Sequence, residues 1–117
     1  MLPDFSDSTA LFQMAQKEQL YQKLVVQLQK DFSLANVNID LLPDTAPAEL
    51  KKLLHEKLYY LILEKFAEYL NLLYVIDVPE KAFKDMQLTD IVDVSEQVTL
   101  LVLKRELQKV WLKTRYR

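Results

Sequence analysis

Residues 47–77 read PAELKKLLHEKLYYLILEKFAEYLNLLYVID and carry the strongest helical signal in the chain. Their apolar residues recur at helical spacing and form two stripes. The first stripe comprises Leu50, Leu54, Leu58, Leu61 and Leu72, and the second comprises Tyr59, Ile62, Phe66, Tyr69 and Leu73. Two stripes make a helix apolar over most of its circumference, which predicts a central helix that is packed on two sides.

Both ends of this predicted helix carry boundary signals. Thr45 is a candidate N-cap, Pro47 lies in the first turn, and Glu49 places a negative charge at the positive end of the helix dipole. Proline lacks a backbone N–H and disfavours helix at the preceding residue, so Pro79 should end or kink the helix. We therefore expect the helix to end at about residues 74–77.

The same spacing argument predicts three further helices in the chain. The first is expected to be capped by Asp7 or Ser8, and the last follows a capping-box pattern formed by Asp93 and Glu96. Their predicted ranges are 8–32, 79–86 and 95–113. The sequence thus predicts a mainly α fold, with three long helices and one short helix in a bundle that forms a single domain over 1–117.

One segment favours a different local structure. Val37, Ile39 and Leu41 alternate with polar residues, which is the period of an extended strand. An α+β alternative would pair residues 37–41 with 74–78 and 91–94 in a small sheet. A loop with three apolar anchors is the simpler interpretation, because a strand needs a partner.

Glycine is absent from the 117 residues, whereas average usage would give about eight. Without glycine the chain cannot contain the common phosphate-binding loops, the dinucleotide fingerprint or the nucleophile elbow. Cysteine is also absent, so disulfides and thiolate metal sites are excluded. These exclusions indicate a protein that is not an enzyme and that needs no cofactor.

The remaining candidates for metal or acid–base chemistry are weak. His55 is the only histidine, and its helical neighbours offer no metal ligand, so we expect it to face solvent. Residues 36–40 resemble the start of a calcium loop, but Leu41 and Pro47 stand where that loop requires glycine and glutamate. We interpret the acidic residues near the last helix as caps and solvated charge; they are Asp85, Asp90, Asp93 and Glu96. No metal site is predicted.

Charge is distributed unevenly along the chain. Residues 104–117 hold six basic residues and one acid, net +5, against −7 for the rest, which gives the overall −2. The basic residues that could form one face for an anionic partner are Arg105, Lys109, Lys113, Arg115 and Arg117. Such a face could contact the phosphates of nucleic acid or an acidic protein. The alternative is that these cations offset the helix dipole and keep the C-terminal end of the chain in water.

The apolar surplus of residues 47–77 indicates a class of function. Tyrosine is enriched in protein interfaces, and the candidate interface residues are Tyr59, Tyr60, Tyr69 and Tyr74. We therefore expect a non-enzymatic interaction or self-assembly module, with a homodimer as a plausible state; nucleic-acid binding is the alternative. Residues 1–7 lack a basic residue, and no apolar stretch is long enough to cross a bilayer, which predicts a cytoplasmic protein without membrane contact.

Overall fold

A computed structural model of the protein describes residues 5–84 and 90–115. These residues form six helices, and the predicted mainly α class is confirmed. The helices are α1 (Ser8–Lys17), α2 (Tyr21–Leu34), α3 (Pro47–Glu64), α4 (Phe66–Ile76), α5 (Glu80–Lys84) and α6 (Ile91–Arg115). Two of the three predicted long helices are therefore each divided into two.

The first predicted helix is interrupted at residues 18–20. Gln19 has a φ of 59°, and the N–H of Leu20 donates to the carbonyl of Ala15 at 2.7 Å, which closes the C-terminus of α1. At the other end, the Asp7 carboxylate accepts from the N–H of Ala10 at 2.8 Å, so the predicted cap is confirmed. The interruption allows α1 and α2 to pack as separate helices against α6.

The predicted central helix is interrupted at Lys65, whose backbone leaves the helical region at φ −139° and ψ 58°. This break redirects the chain, so that α4 contacts α2, α3 and α6. Pro47 occupies the first turn as predicted, but the N-cap is Ala46. The Thr45 hydroxyl instead accepts from the N–H of Leu42 at 3.1 Å and stabilises the preceding turn.

The α+β alternative is wrong for all three proposed segments. Residues 37–41 are an extended loop in which Val37, Ile39 and Leu41 are buried, while residues 74–76 and 91–94 are helical. The loop is held by side chains instead of a strand partner: the N–H of Leu41 donates to the side-chain carbonyl of Gln29 at 2.9 Å. The alternation of apolar and polar residues in this segment therefore reflects side chains that are alternately buried and exposed along a loop.

The last helix begins four residues earlier than predicted, at Ile91. Its cap is Asp90, whose carboxylate accepts from the N–H of Asp93 at 2.8 Å, so the capping role expected of Asp93 belongs to Asp90. The short helix after Pro79 is observed as α5, and the end predicted for it at Met86 lies outside the described residues.

The centre of the fold is the packing of α6 on α3 and α2. The buried apolar side chains of the described elements form one cluster. Its fully buried members include Leu28, Leu54, Leu58, Leu103 and Leu107, which come from these three helices. Because a single cluster joins the long helices, the positions of their exposed faces are fixed relative to one another.

Candidate functional site

The four tyrosines predicted as interface residues occupy different environments. Tyr69 lies in the core with 5% of its surface exposed, and burial raises the pKa of its hydroxyl. Tyr59 is half-buried, Tyr60 is exposed, and Tyr74 is the most exposed large apolar residue described, at 83%. The structure therefore leaves Tyr60 and Tyr74 available at the surface and commits Tyr69 to the core.

Tyr74 belongs to a row of exposed apolar side chains on one side of α4. Phe66, Leu70 and Tyr74 follow one another at four-residue intervals, and all three are exposed. Residues at i, i+4 and i+8 share one side of a helix, so these three form a continuous stripe, which we call the α4 apolar face. Leu63, at the end of α3, is also exposed and lies just before it in the chain.

The buried side of α4 adjoins this face. Its buried residues are Tyr69, Leu72, Leu73 and Ile76, which pack into the core. α4 contacts three other helices, but Phe66, a member of the second predicted stripe, faces outward instead of into the core. Leu70 was missed by the sequence analysis, although its spacing from Phe66 and Tyr74 was a signal that could have identified it.

The basic residues of α6 do not project together into solvent. Arg105 donates from Nε to the backbone carbonyl of Asp77 and from an Nη to its carboxylate, both at 2.9 Å. It also donates to the side chain of Gln108 at 2.8 Å. Arg105 thus binds the carbonyl end of α4, where a cation is favoured by the helix dipole.

Lys109 lies in a largely buried polar cluster between α6 and α2. Its ammonium group is 2.5 Å from the Asp31 carboxylate and 3.2 Å from Oε1 of Glu106. Gln27 donates to Asp31 at 3.1 Å and accepts from Lys113 at 2.7 Å. We call four of these residues the buried polar cluster: Gln27, Asp31, Glu106 and Lys109. Lys113 itself is exposed.

Glu106 is the exceptional member of the buried polar cluster, because its side chain is fully buried. Neither oxygen of its carboxyl group accepts a hydrogen bond from another described residue. Burial, reinforced by the negative charge of Asp31, raises the pKa of Glu106 to about 9. The raised pKa favours the protonated form of Glu106 at neutral pH, beside the Asp31 carboxylate.

The pKa of Asp31 is shifted in the opposite direction. Burial acts to raise its pKa, but hydrogen bonds from Glu106, Lys109 and Gln27 outweigh burial and hold the pKa below its ordinary value. The pKa values of two neighbouring carboxyl groups beside one lysine are thus shifted in opposite directions. Sequence analysis missed this arrangement, because Asp31 and Glu106 are distant in the chain and both sit at ordinary helical positions.

The end of α6 completes the placement of the basic residues. The Arg115 guanidinium stacks over the ring of Trp111, with its central carbon 4.9 Å from the ring centroid. Arg117 lies outside the described residues. The structure therefore distributes Arg105, Lys109 and Arg115 among three different intramolecular contacts.

His55 does not face solvent as expected; it is half-buried between α3 and α6. Its Nε2 lies 2.7 Å from the Ser95 hydroxyl, and that hydroxyl donates to the carbonyl of Val92 at 2.9 Å. Ser95 is fully buried, so this pair joins two helices and leaves no accessible nucleophile.

The described part of the chain contains no group of three or more His, Cys, Asp or Glu side chains placed to bind one metal ion. Within the same residues, no helix is both long enough and apolar enough to cross a bilayer. Comparisons of the chain with protein-family models, curated proteins and solved structures give no match. Any functional conclusion therefore depends on the surfaces described above.

Proposed function

We propose that this protein is a non-enzymatic, cytoplasmic interaction module that self-associates as a homodimer through the α4 apolar face. The observation that carries the proposal is the exposure of Phe66, Leu70 and Tyr74 in one row on α4, next to the side of the helix that packs into the core. Single exposed apolar residues are common at protein surfaces, whereas three in one row form a contiguous apolar patch.

The size of the face is consistent with an interface. The exposed portions of these three large side chains amount to roughly a few hundred Å², the size of the largest apolar patch on a typical small protein, which is often functional. A stable dimer buries about 800 Å² per partner, so polar residues around the face would complete the contact.

A second copy of the chain is the occupant that the pattern of the face fits best. The stripe carries no charged residue at its three positions, so two copies can meet without repulsion. In a two-fold arrangement each face contacts its equivalent, and Leu70, in the middle of the stripe, lies nearest the axis. Phe66 of one copy would then approach Tyr74 of the other when the helices run antiparallel.

The proposal is tested by the solution mass of matched variants, measured by light scattering on a sizing column. The unaltered chain should have twice the monomer mass at high concentration and dissociate on dilution. Leu70→Asp should weaken the dimer by roughly tenfold or more, because it places an unpaired carboxylate in the interface. Val92→Asp is the control, because Val92 has nearly the same exposure as Leu70, 49% against 47%, and its helix start tolerates an acid.

Three results would contradict this proposal. The first is a strictly monomeric chain at every concentration tested. The second is a dimer that dissociates equally in Leu70→Asp and Val92→Asp, which would place the interface elsewhere. The third is a Leu70→Asp variant that remains folded by circular dichroism and keeps the full dimer affinity.

Nucleic-acid binding through Arg105, Lys109, Lys113, Arg115 and Arg117 remains an alternative proposal with less support. To contact phosphates, lysine and arginine side chains must be free of ion pairs within the protein. Arg105 and Lys109 already bind Asp77 and Asp31, so binding a phosphate would sacrifice existing ion pairs. Salt-dependent binding of a labelled DNA oligonucleotide that is lost in Arg115→Ala would favour this alternative.

A further inference from the structure

A groove of about 640 Å³ lies on the surface between α2, α6 and the loop at Pro43. Its lining residues are Gln22, Lys23, Val26, Gln27, Lys30, Pro43, Val110, Lys113 and Thr114. We call it the basic groove, because it contains three lysines and no acidic residue among these described residues. It shares none of its lining with the α4 apolar face, so it is a separate surface.

The apolar part of the basic groove lies between its charges. Val26 is 53% exposed and is located between Lys23 and Lys30 on α2. Val110 and Pro43 add further apolar surface from α6 and the loop. A ligand that covered Val26 would remove an exposed apolar side chain from water, which is a favourable contribution to binding.

Two of the three lysines in the basic groove lie on the same side of α2, two turns apart. Lys23 and Lys30 are seven residues apart on α2, which corresponds to about 10 Å along the helix axis. Both are exposed, and neither makes an ion pair within the described part of the chain. Lys113, on α6, uses one of its three donors on Gln27 and keeps the others for a ligand.

We propose that the basic groove binds an acidic helical segment of a partner protein. The segment would carry two carboxylates two turns apart, matching the separation of Lys23 and Lys30. An apolar residue between the carboxylates would rest on Val26. The recognition thus combines charge complementarity at both ends with apolar burial in the middle.

A peptide fits these observations better than nucleic acid does. The lining residues provide lysines but neither arginine nor an aromatic side chain, the groups that most often recognise bases or stack on them. The chain as a whole carries a net charge of −2, which opposes a polyanion at longer range. A short acidic segment needs attraction only within the basic groove.

The test is the fluorescence anisotropy of a labelled, alanine-rich helical peptide that carries two glutamates about two turns apart with a leucine between them. The unaltered protein should bind it, and raising the salt concentration from about 50 mM to about 500 mM should weaken binding. The double variant Lys23→Glu with Lys30→Glu should bind at least roughly tenfold more weakly. Lys52→Glu, an exposed lysine on α3, should bind within about twofold of the unaltered protein.

Several outcomes would overturn the inference. One is equal binding of a control peptide with lysines in place of the glutamates, and another is no binding of the acidic peptide at all. A DNA oligonucleotide that bound through the same lysines more tightly than the peptide would indicate a phosphate site. A loss of dimer mass in the double variant would indicate that a second copy occupies the groove. Leu70→Asp should bind the peptide normally, which separates this inference from the proposed dimer.

Discussion

Glu106 and Asp31 are two carboxyl groups from different helices that meet in the interior beside Lys109. An isolated charge in such a place would cost several kcal/mol, so the pair remains stable only because one carboxyl keeps its proton and the other binds the lysine. Glu106 is fully buried and Asp31 is 4% exposed. Their opposite pKa shifts follow from this division of roles.

Rising pH should therefore destabilise the protein. The unfolded chain loses the Glu106 proton near pH 4.3, whereas the folded state keeps it until about pH 9. Between these values the folded state holds more protons, so the free energy of unfolding falls as pH rises, with a limiting slope of about 1.4 kcal/mol per pH unit. Asp31 has a pKa in the folded state below its ordinary value. It therefore makes the free energy of unfolding rise with pH, but only at pH values below that ordinary pKa. Urea unfolding from pH 5 to pH 9 measures this slope.

The substitution Glu106→Gln should remove most of the slope and make the protein more stable than the unaltered chain at pH 8. The amide keeps a donor toward Asp31 and never ionises. Glu96→Gln, on the exposed side of the same helix, is the matched control and should leave the slope unchanged. An identical pH dependence in the unaltered chain and Glu106→Gln would show that Glu106 ionises normally in the folded state.

At the level of helices, three of the described helices end at a residue in the left-handed conformation, and none of these residues is glycine. The residues are Gln19, Asn36 and Asp77, with φ values of 59°, 63° and 68°. In each case the next residue's N–H bonds to a carbonyl five residues earlier, which is the Schellman arrangement. The following residues, Leu20, Val37 and Val78, are buried and anchor each turn in the core.

Gln19 is the costly member of this group, because glutamine lacks the short side chain that lets asparagine and aspartate adopt this conformation readily. Gln19→Gly should stabilise the protein by about 0.5–1 kcal/mol, measured by urea unfolding. Asn36→Gly should increase the free energy of unfolding by a smaller amount. Gln13→Gly, inside α1 and exposed, should lose about 1 kcal/mol. A loss of stability in Gln19→Gly would mean that the turn is not strained.

Local patterns predicted the helices well because the apolar spacing that forms a helix is contained within each segment. The Asp7 cap and Pro47 in the first turn were predicted for the same reason. The breaks at Gln19 and Lys65 could not be predicted, because neither site carries glycine or proline. They depend on how α2 and α4 pack against α6, which is not visible in a local window.

For the whole molecule, the same limit applies to its surfaces. The apolar surplus of residues 47–77 is evident in the sequence, but the side of α4 that the core covers is not. The spacing of Arg105, Lys109 and Lys113 predicts one shared face, whereas the fold gives each a partner on another element. Both outcomes depend on contacts between distant residues.

The most direct test of the central claim, that the α4 apolar face pairs with itself, uses the absence of cysteine from the chain. A single Leu70→Cys substitution places a thiol at the middle of the face, and Val92→Cys serves as the equally exposed control. Under mild oxidation, we predict that Leu70→Cys forms a disulfide-linked dimer much faster than Val92→Cys, because two Leu70 positions meet near the axis. Equal and slow cross-linking of both variants, with both folded, would contradict the account.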